Sequence, residues 1–211
     1  MTRADPASSA DPAARADTAA DSGFRRRLLD AMADAVRERG YRDTTVADIV
    51  RLAKTSRRTF YEHFADKQDC FVAMLAERNN ETIDQIYAAV DAAAPWDTQI
   101  HQAIEAWIGA SREDTCITLA WIRDIPALGE RARQLQREAA DAFITLIQTL
   151  TATSEFQGAG LHPPTHQMAT ILYGGFRELI ASTVEDGRDI IEIIDVAVET
   201  ALALIGPRYS A

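Results

Sequence analysis

The chain has 211 residues, of which 47% are apolar and 26% are charged, and its formal net charge is −10. A chain of this length and apolar content can bury a hydrophobic core in one or two domains. No apolar run approaches the roughly 18 to 20 residues that a membrane-spanning helix needs, and the N-terminus lacks the apolar segment of a secretory signal. The sequence therefore predicts a cytoplasmic protein.

The two cysteines, Cys70 and Cys116, lie far apart and without CxxC or metal-ligand spacing. This pattern indicates neither a disulfide framework nor a zinc site. Both cysteines are predicted to be small apolar packing residues, and no metal site or cofactor is predicted.

Charge is distributed unevenly along the chain. Residues 24–80 hold 12 Lys and Arg against 9 Asp and Glu, whereas residues 81–211 hold 8 against 19. A basic segment joined to an acidic remainder indicates two parts with different partners, the basic part facing phosphate.

The first 23 residues consist largely of Ala, Asp, Ser and Pro, a composition that predicts a disordered tail. From Phe24 onward apolar residues recur at helical spacing as far as Arg39. Gly40 then stands where a C-cap glycine would end this first helix.

Two short helices are predicted next. Thr45 is followed three residues later by Asp48, a variant of the capping box that marks the start of a second helix. Ser56 is a suitable N-cap for a third helix, which carries Phe60 and Phe64 on one face. The other face of this third helix offers hydrogen-bonding side chains to solvent: Arg57, Arg58, Tyr61 and Glu62.

Two short helices joined by a tight turn, the second of them basic, are what a helix-turn-helix needs in order to enter a major groove. An arginine fork matches the O6 and N7 acceptors of guanine. The arrangement favours a DNA-reading helix over a merely solvated basic surface.

The segment GYRDTTVADIVRLAKTSRRTFYEHFADKQDCFVAML resembles the DNA-binding domain of the TetR family of bacterial transcriptional repressors. Its most specific piece is S-x-x-T-[aromatic]-Y-x-H-F-x-x-K, present as Ser56, Thr59, Phe60, Tyr61, His63, Phe64 and Lys67. The resemblance implies that Arg57, Arg58 and Thr59 lie at or beside the groove. It also implies that Thr45, Tyr61, His63 and Lys67 hold the phosphate backbone. The predicted DNA-contacting set is Thr45, Lys54, Ser56, Arg57, Arg58, Thr59, Tyr61, His63 and Lys67.

Three points in this segment stay open. The family's turn usually reads Ala-Gly-Val, whereas this chain has Ala53-Lys54-Thr55, which costs about 1 kcal/mol if the middle residue needs a positive φ. Attraction between Lys54 and phosphate could offset part of that cost. His63 could be a surface histidine and Tyr61 a core residue. The three consecutive arginines at residues 25–27 could contact DNA phosphates electrostatically or form a solvated charged face.

The rest of the chain reads as helical throughout, so the predicted fold is all-α. The predicted domains are a tail at 1–23, a helix-turn-helix domain at 24–70 and a helical ligand-binding and dimerisation domain at 71–211. Helices are predicted near residues 67–92, 97–111, 114–125, 127–151, 164–185 and 189–205, with a loop at 154–164.

The last helix has polar residues in only a narrow stripe, so it must be covered on more than one side. Just before it, adjacent glycines would let a second helix come close. This pattern predicts a homodimer built from the last two helices of each protomer, and the family resemblance implies the same. Alternatively, the last helix lies at the centre of a monomer and is covered by other helices of the same chain. The predicted interface residues are Gly174, Gly175, Ile191, Val198 and Leu202.

Bulky apolar residues crowd the middle helices, and together they could line a cavity for a lipophilic small molecule. Core packing is the alternative role for each of them. The predicted lining comprises Trp96, Ile104, Trp107, Ile108, Leu119, Trp121, Phe143, Ile147, Met168, Leu172, Tyr173 and Phe176. Polar groups that could orient the ligand are His101, Arg123 and His166.

The sequence thus predicts a regulator, not an enzyme: a dimer that binds a palindromic double-stranded operator as a repressor and is released by a lipophilic effector. A DNA-binding protein without a ligand is one alternative and predicts a solidly packed C-terminal part. A helical enzyme is another, although no G-x-S-x-G, phosphate loop or H-E-x-x-H occurs. His162 and His166 lie four residues apart, but two intervening prolines break the helix that metal-ligand spacing would need.

Overall fold

The computed structural model of the protein describes residues 12–206. Within that range it contains ten α-helices and two short 3-10 helices and no strand, which confirms the all-α prediction. None of these helices is both long and apolar enough to traverse a bilayer. The α-helices are α1 (Pro12–Asp43), α2 (Val46–Leu52), α3 (Arg57–His63), α4 (Lys67–Ala89), α5 (Trp96–Glu113), α6 (Thr115–Arg123), α7 (Glu130–Leu150), α8 (Ser154–Gly158), α9 (His166–Glu185) and α10 (Ile194–Ile205). The 3-10 helices are Ile125–Ala127 and Ile190–Ile193.

Helix α1 begins at Pro12, twelve residues before the predicted start at Phe24. The prediction of a disordered tail is therefore wrong for residues 12–23, while residues 1–11 of that tail lie outside the described residues. Five alanines occur between positions 13 and 20, and alanine has the highest helix propensity of all residues. Proline is also favoured at the first helical position, where its missing N–H has no intrahelical partner to lose.

The end of α1 is set by Gly40, as the sequence predicts. Its φ of 77° and ψ of 161° interrupt the helical geometry, so Tyr41–Asp43 form a separate turn. The hydroxyl of Thr44 donates to the Gly40 carbonyl at 2.8 Å and satisfies one of the acceptors that the break exposes.

The chain divides into two compact units, the first ending at Phe71 and the second beginning at Val72. In the first unit α1, α2 and α3 all contact one another. Its buried residues include Leu28 and Met32 of α1, Ile49 of α2 and Phe60 of α3. Burying a side chain of this size contributes about 1.5–3 kcal/mol, so α2 and α3, each of seven residues, are held mainly by packing.

The second unit contains α5 to α10 and most of α4, and three of its segments differ from prediction. Residues 154–158, predicted as loop, form the short helix α8, which buries Phe156. The predicted last helix begins with 3-10 geometry over Ile190–Ile193 before α10 starts. The α6 helix stops at Arg123, and a 3-10 turn then carries Pro126.

The core of the second unit consists of two neighbouring groups of buried residues. The larger joins α5, α9 and α10 and includes Ile104, Leu172, Ile180 and Ala197. The smaller joins α4, α7 and α9 through Ile86, Phe143, Leu146 and Tyr173. Trp107 of α5 packs against both groups, so it stands between them.

The two cysteines differ in their surroundings. Cys70 is buried, and burial raises the pKa of its thiol, which keeps it protonated and unreactive. Cys116 is exposed, so the prediction that it packs in the core is wrong.

Arg123 links α6 to α9 through two carboxylates. Its guanidinium donates to Glu178 at 2.8 Å and to Glu185 at 2.7 Å. These hydrogen bonds hold the pKa of both carboxyls below the usual value. A depressed carboxyl pKa contributes stability above the unfolded-state pKa, and this contribution is lost as the pH falls through the folded-state pKa.

Replacing Arg123 with Gln is therefore expected to lower the free energy of unfolding near pH 7, and this loss is expected to shrink as the pH falls through the folded-state pKa values of the two carboxyls. Protonation of the carboxyls removes the anions that the guanidinium binds. Urea unfolding of parent and Arg123→Gln over a series of pH values from 7 downward measures this. A loss that does not change with pH would show that Arg123 acts through packing alone.

Candidate nucleic-acid interface and cavities of the second unit

The turn between α2 and α3 is a Schellman motif centred on Lys54. The Lys54 N–H donates to the Arg51 carbonyl at 3.3 Å, and the Thr55 N–H donates to the Val50 carbonyl at 3.0 Å. Lys54 has a φ of 51°, the only positive φ of a non-glycine residue in the described range. This position is normally filled by glycine, because any Cβ is strained in the left-handed region. The strain foreseen from the sequence is thus present.

Replacing Lys54 with Gly is expected to raise the free energy of unfolding by about 1 kcal/mol, because it removes the strained Cβ. Lys54→Ala is the matched control, since it removes the ammonium group but keeps the Cβ. Urea denaturation of both variants measures the difference. If Lys54→Gly were no more stable than Lys54→Ala, the left-handed backbone at Lys54 would carry no strain.

Helix α3 is fixed by a cap at its N-terminus and by two buried side chains. The Ser56 hydroxyl accepts from the Thr59 N–H at 3.1 Å and lies 3.0 Å from the Thr59 hydroxyl, so Ser56 caps the helix. Phe60 is fully buried and Phe64 is 3% exposed. The orientation of α3 is therefore set by its cap and by two phenylalanine side chains.

Exposed residues of α3 and of the turn before it form a basic face, which we define as Lys54, Arg57, Arg58 and Tyr61. All four residues are exposed. The side chain of Arg58 is 89% exposed and its Nε donates to Glu62 at 3.0 Å. The Tyr61 ring leans edge-on against Phe60 and is 58% exposed, so the alternative of a core tyrosine is wrong. The basic face offers forked and hydroxyl donors of the kind that base edges and phosphates accept.

Lys67 has a structural partner that the sequence did not predict. Its ammonium donates to the carbonyls of Tyr41 at 2.9 Å and Arg42 at 3.2 Å, and it lies 4.4 Å from the centre of the Tyr41 ring. Burial lowers the pKa of this amine. Lys67 therefore satisfies the carbonyls at the end of α1, and two of its three donors are already used.

The His63 side chain is only 7% exposed and its Nε2 lies 3.6 Å from Asp21. Asp21 belongs to the part of α1 that was predicted to be a disordered tail, so this contact could not be predicted from the sequence. Thr45 is exposed, but its hydroxyl donates to Asp48 at 2.6 Å within a complete capping box. Seven of the nine predicted DNA-contacting residues thus have side-chain contacts within the first unit: Thr45, Ser56, Arg58, Thr59, Tyr61, His63 and Lys67.

The three consecutive arginines of α1 also have local contacts. The Arg25 guanidinium lies 5.4 Å from the Phe64 ring centre, Arg26 is 3.4 Å from Asp30, and Arg27 lies 4.4 Å from the Phe24 ring centre. These contacts give each arginine a place in the first unit and leave its role toward DNA open.

The second unit contains two cavities that share Trp107 and Phe143 as lining residues. The first cavity has a volume of about 120 Å³ and is lined by side chains of mixed character from α4, α5, α6, α7 and α9. The second has a volume of about 70 Å³ and an almost wholly apolar lining, which includes Ile104, Leu146 and Phe176. Both lie where the sequence predicts a ligand site, between the middle helices.

Residues 28–74 match the family model described as bacterial regulatory proteins, tetR family. Over this segment the chain matches the TetR family. Among curated relatives it is 30% identical over 96 residues to the HTH-type transcriptional regulator BetI of Klebsiella pneumoniae and 27% identical over 96 residues to BetI of Escherichia coli. These matches cover 46% of this chain and 48% of each relative, so the chain spans about half the length of the curated relatives it matches.

Several solved structures share the fold of this chain over most of its length. One is the transcriptional regulator FadR from Bacillus subtilis in complex with stearoyl-CoA, with a TM-score of 0.72, 16% identity, and coverage of 87% of this chain and 99% of that one. Another is a putative transcriptional regulator from Saccharomonospora viridis in complex with choline, with a TM-score of 0.72, 21% identity, and coverage of 89% and 100%. At these identities the likeness shows a shared fold.

Eight of the twelve residues predicted to line a TetR-family ligand pocket lie around the two cavities. They are Trp107, Trp121, Phe143 and Tyr173 at the first, and Ile104, Trp107, Phe143, Ile147, Leu172 and Phe176 at the second. Four others, Trp96, Ile108, Leu119 and Met168, line neither cavity. Trp96, for example, packs edge-on against Phe156 at a ring distance of 6.0 Å.

The polar groups at the first cavity are not those that the sequence analysis named. His101 pairs with Glu105, Arg123 binds two carboxylates of α9, and neither these two nor His166 lines a cavity. Arg177 lines the first cavity and was missed. A signal was present in the sequence, because Arg177 follows Tyr173 by four residues and so shares its helix face.

Helices α9 and α10 contact each other and expose an apolar surface. Ile171 is 62% exposed, Val196 is 48% exposed and Ile191 is 46% exposed. Gly174 and Gly175 are exposed, and nothing lies within 4 Å of where a Cβ would stand on either. Val198, by contrast, is 8% exposed and belongs to the larger core group, so its assignment to a dimer interface is wrong. Leu202 is partly buried against the same group.

Proposed function

We propose that the protein is a ligand-responsive transcriptional repressor that binds a palindromic DNA operator as a homodimer. The observation that carries this proposal is the basic face, whose Arg57 and Arg58 are exposed to solvent on a capped helix that the buried Phe60 anchors. A helix of this kind, presented after a tight turn, has the form of a major-groove recognition helix. In this proposal the chain regulates transcription and catalyses no reaction.

Arg57 is the residue proposed to read a base. It is exposed, and no hydrogen bond or ion pair from the described part of the chain engages its guanidinium. The fork is thus available for the O6 and N7 of a guanine. Arg58 is oriented by Glu62 and is proposed to lie beside the groove, while Tyr61 and Lys54 are proposed to contact phosphates.

The proposed dimer uses the exposed surface of α9 and α10. Exposed apolar side chains on two contacting helices, next to glycines that permit close approach, suit an isologous helix–helix interface. A dimer would place two copies of α3 on one operator, and two-fold symmetry would then appear in the DNA sequence.

The proposed effector site is the pair of cavities in the second unit, which combine the mixed lining of the first cavity with the apolar lining of the second. An apolar wall with a few polar groups suits a small lipophilic molecule. Helix α4 begins in the first unit at Lys67 and continues past Val72 into the second, where Leu75, Arg78 and Thr82 line the first cavity. A ligand that displaces α4 would alter the segment that leads to α3. Such a ligand lowers operator affinity only to the extent that it binds the two conformations differently.

The test is a pull-down of genomic fragments with the full chain, including the DNA upstream of its own coding sequence. We expect a small set of fragments with dyad symmetry, released when a cognate effector is added. Arg57→Ala and Arg188→Ala serve as matched variants, because both remove an exposed arginine and only the first belongs to the basic face. Equal recovery of all fragments by the parent and by Arg57→Ala would contradict the proposal.

A further inference from the structure

The first cavity contains two buried donors without acceptors. Tyr173 is 4% exposed, and its hydroxyl proton has no acceptor within the described part of the protein. Its nearest polar neighbours, Trp121 and Arg177, are themselves donors. The Nε of Arg177, one turn further along α9, is also buried without a partner. Both residues line this cavity. Leaving such groups unsatisfied is costly, so a bound acceptor is the natural complement.

Three carboxylates line the cavity, Glu81, Glu113 and Asp114, and none of them accepts a hydrogen bond from the Tyr173 hydroxyl or the Arg177 Nε. Glu81 pairs with Arg78 at 3.3 Å. Asp114 accepts from the Ile117 N–H at 3.2 Å and caps α6. The Tyr173 hydroxyl keeps its proton because burial raises its pKa, so it is a donor at neutral pH. A cation and a neutral donor that converge on one space suit an anion with two acceptor oxygens.

The aromatic part of the lining of the first cavity suits a flat ring. Trp107 lies nearly parallel to Tyr173, with an interplanar angle of 11° and a centroid distance of 5.9 Å, and Phe143 lies 5.1 Å from Tyr173. Trp121 lines the same space. Aromatic side chains favour stacked or edge-on contact with another ring. The volume of about 120 Å³ is close to the roughly 150 Å³ of an engineered cavity that holds benzene.

The position of Arg177 also disfavours a cationic ligand. Its guanidinium carbon lies 5.3 Å from the centre of the Tyr173 ring. This distance is within the range of a cation–π interaction, so the guanidinium of Arg177 already occupies one face of the Tyr173 ring. A quaternary ammonium that sought the same ring would meet a like charge.

We propose that the first cavity binds a small monocyclic aromatic carboxylate, with the carboxylate on Arg177 and Tyr173 and the ring among Trp107, Trp121 and Phe143. This assignment deepens the proposed function and rests on it only for the statement that the ligand acts as the effector. The second cavity, beyond Trp107 and Phe143, would receive an apolar substituent of the ring.

The first test compares three molecules of similar size by calorimetry and by tryptophan fluorescence of the full chain. Benzoate has the ring and the charge, benzamide keeps the ring without the charge, and choline carries the opposite charge. We expect benzoate to bind about 10- to 100-fold more tightly than benzamide, the range for charge-assisted hydrogen bonds, and choline to bind more weakly than either. Benzamide or choline binding as tightly as benzoate, or no benzoate binding at millimolar concentration, would overturn the proposal.

The second test uses variants of the two donors. Arg177→Gln is expected to weaken benzoate binding about 10- to 100-fold and to leave benzamide binding nearly unchanged. Tyr173→Phe is expected to weaken benzoate binding about 3- to 10-fold while thermal stability stays equal or rises, because an unsatisfied buried hydroxyl is removed. Arg188→Gln is the control, since it removes an arginine that pairs with Glu192 and lines neither cavity. Benzoate affinity unchanged in Tyr173→Phe and in any folded Arg177→Gln would refute the assignment.

DNA binding is measured separately, on the same protein without ligand. If the protein binds benzoate selectively but binds no DNA, the proposed repressor function is wrong and the proposed ligand class stands. If it binds DNA selectively but does not prefer benzoate, the proposed ligand class is wrong and the repressor function stands.

Discussion

Replacing Val196 or Ile171 with Glu is expected to convert the protein to a monomer and to lower operator affinity by at least about 100-fold. Val196 is 48% exposed on α10 and Ile171 is 62% exposed on α9, so a carboxylate at either position leaves the folded protomer intact. In a dimer the same carboxylate would be buried without a partner, at a cost of several kcal/mol. A monomer keeps one copy of α3 and loses the gain from two linked half-sites, which is commonly 10²- to 10⁴-fold.

Sedimentation velocity and fluorescence anisotropy with the recovered operator measure the two effects. Tyr87→Glu is the matched control, because Tyr87 is an apolar side chain, 42% exposed, on α4. Val198→Glu does not test the interface, since Val198 lies in the core and its replacement is expected to unfold the second unit. A parent that is monomeric at micromolar concentration, yet binds a palindrome tightly, would rule out the α9–α10 interface.

Replacing Arg57 with Ala is expected to weaken operator binding by about 1–3 kcal/mol per half-site and to relax base preference at one position in each. The guanidinium of Arg57 is proposed to form one bidentate pair of hydrogen bonds with a guanine in each half-site, and the substitution removes it. Helix α3 itself is expected to stay folded, because its cap and its buried side chains do not involve Arg57. Tyr61→Phe, which removes a proposed phosphate contact, is expected to weaken binding to all sequences alike.

Selection from a randomised duplex library separates these two outcomes. Arg188→Ala is the control, because it removes an exposed arginine of the second unit. An Arg57→Ala variant that enriches the same site with the same base frequencies as the parent would remove Arg57 from base recognition.

The first unit could be predicted closely because its signals are local. Caps at Thr45 and Ser56 and a breaking glycine at Gly40 act within a few residues, and the structure has helix boundaries at all three. Even the strain at Lys54 was visible, as a missing glycine in a turn that needs a positive φ. What failed was the start of α1, where composition was read as disorder although alanine also favours helix.

The intramolecular partners of two predicted phosphate contacts could not be predicted from the sequence. His63 lies 3.6 Å from Asp21, a residue of the part of α1 that was predicted to be disordered. Lys67 binds helix-end carbonyls 25 and 26 residues earlier in the chain, and no local sequence signal marks such a contact. The phosphate roles of both residues stay predictions.

The cavities could be predicted as a region but not residue by residue. Apolar residues on the facing sides of middle helices can pack together or stand apart, and only the three-dimensional arrangement decides which. Trp107 lines both cavities, whereas Trp96 packs on Phe156 and lines neither. The polar groups were harder still, since Arg123 and Arg177 lie in similar sequence surroundings and only Arg123 has carboxylate partners within the described residues.

Methylation interference on a recovered fragment tests whether α3 contacts guanine in the major groove of a symmetric site. Methylation of guanine N7 blocks one of the two acceptors that an arginine fork requires. We expect fragments bound by the parent to be depleted of methylated guanines at positions related by dyad symmetry, with half-site centres about one helical turn, or a multiple of it, apart. We expect this depletion to disappear in fragments bound by Arg57→Ala. Unimpaired binding of N7-methylated fragments by the parent would show that α3 does not contact guanine N7.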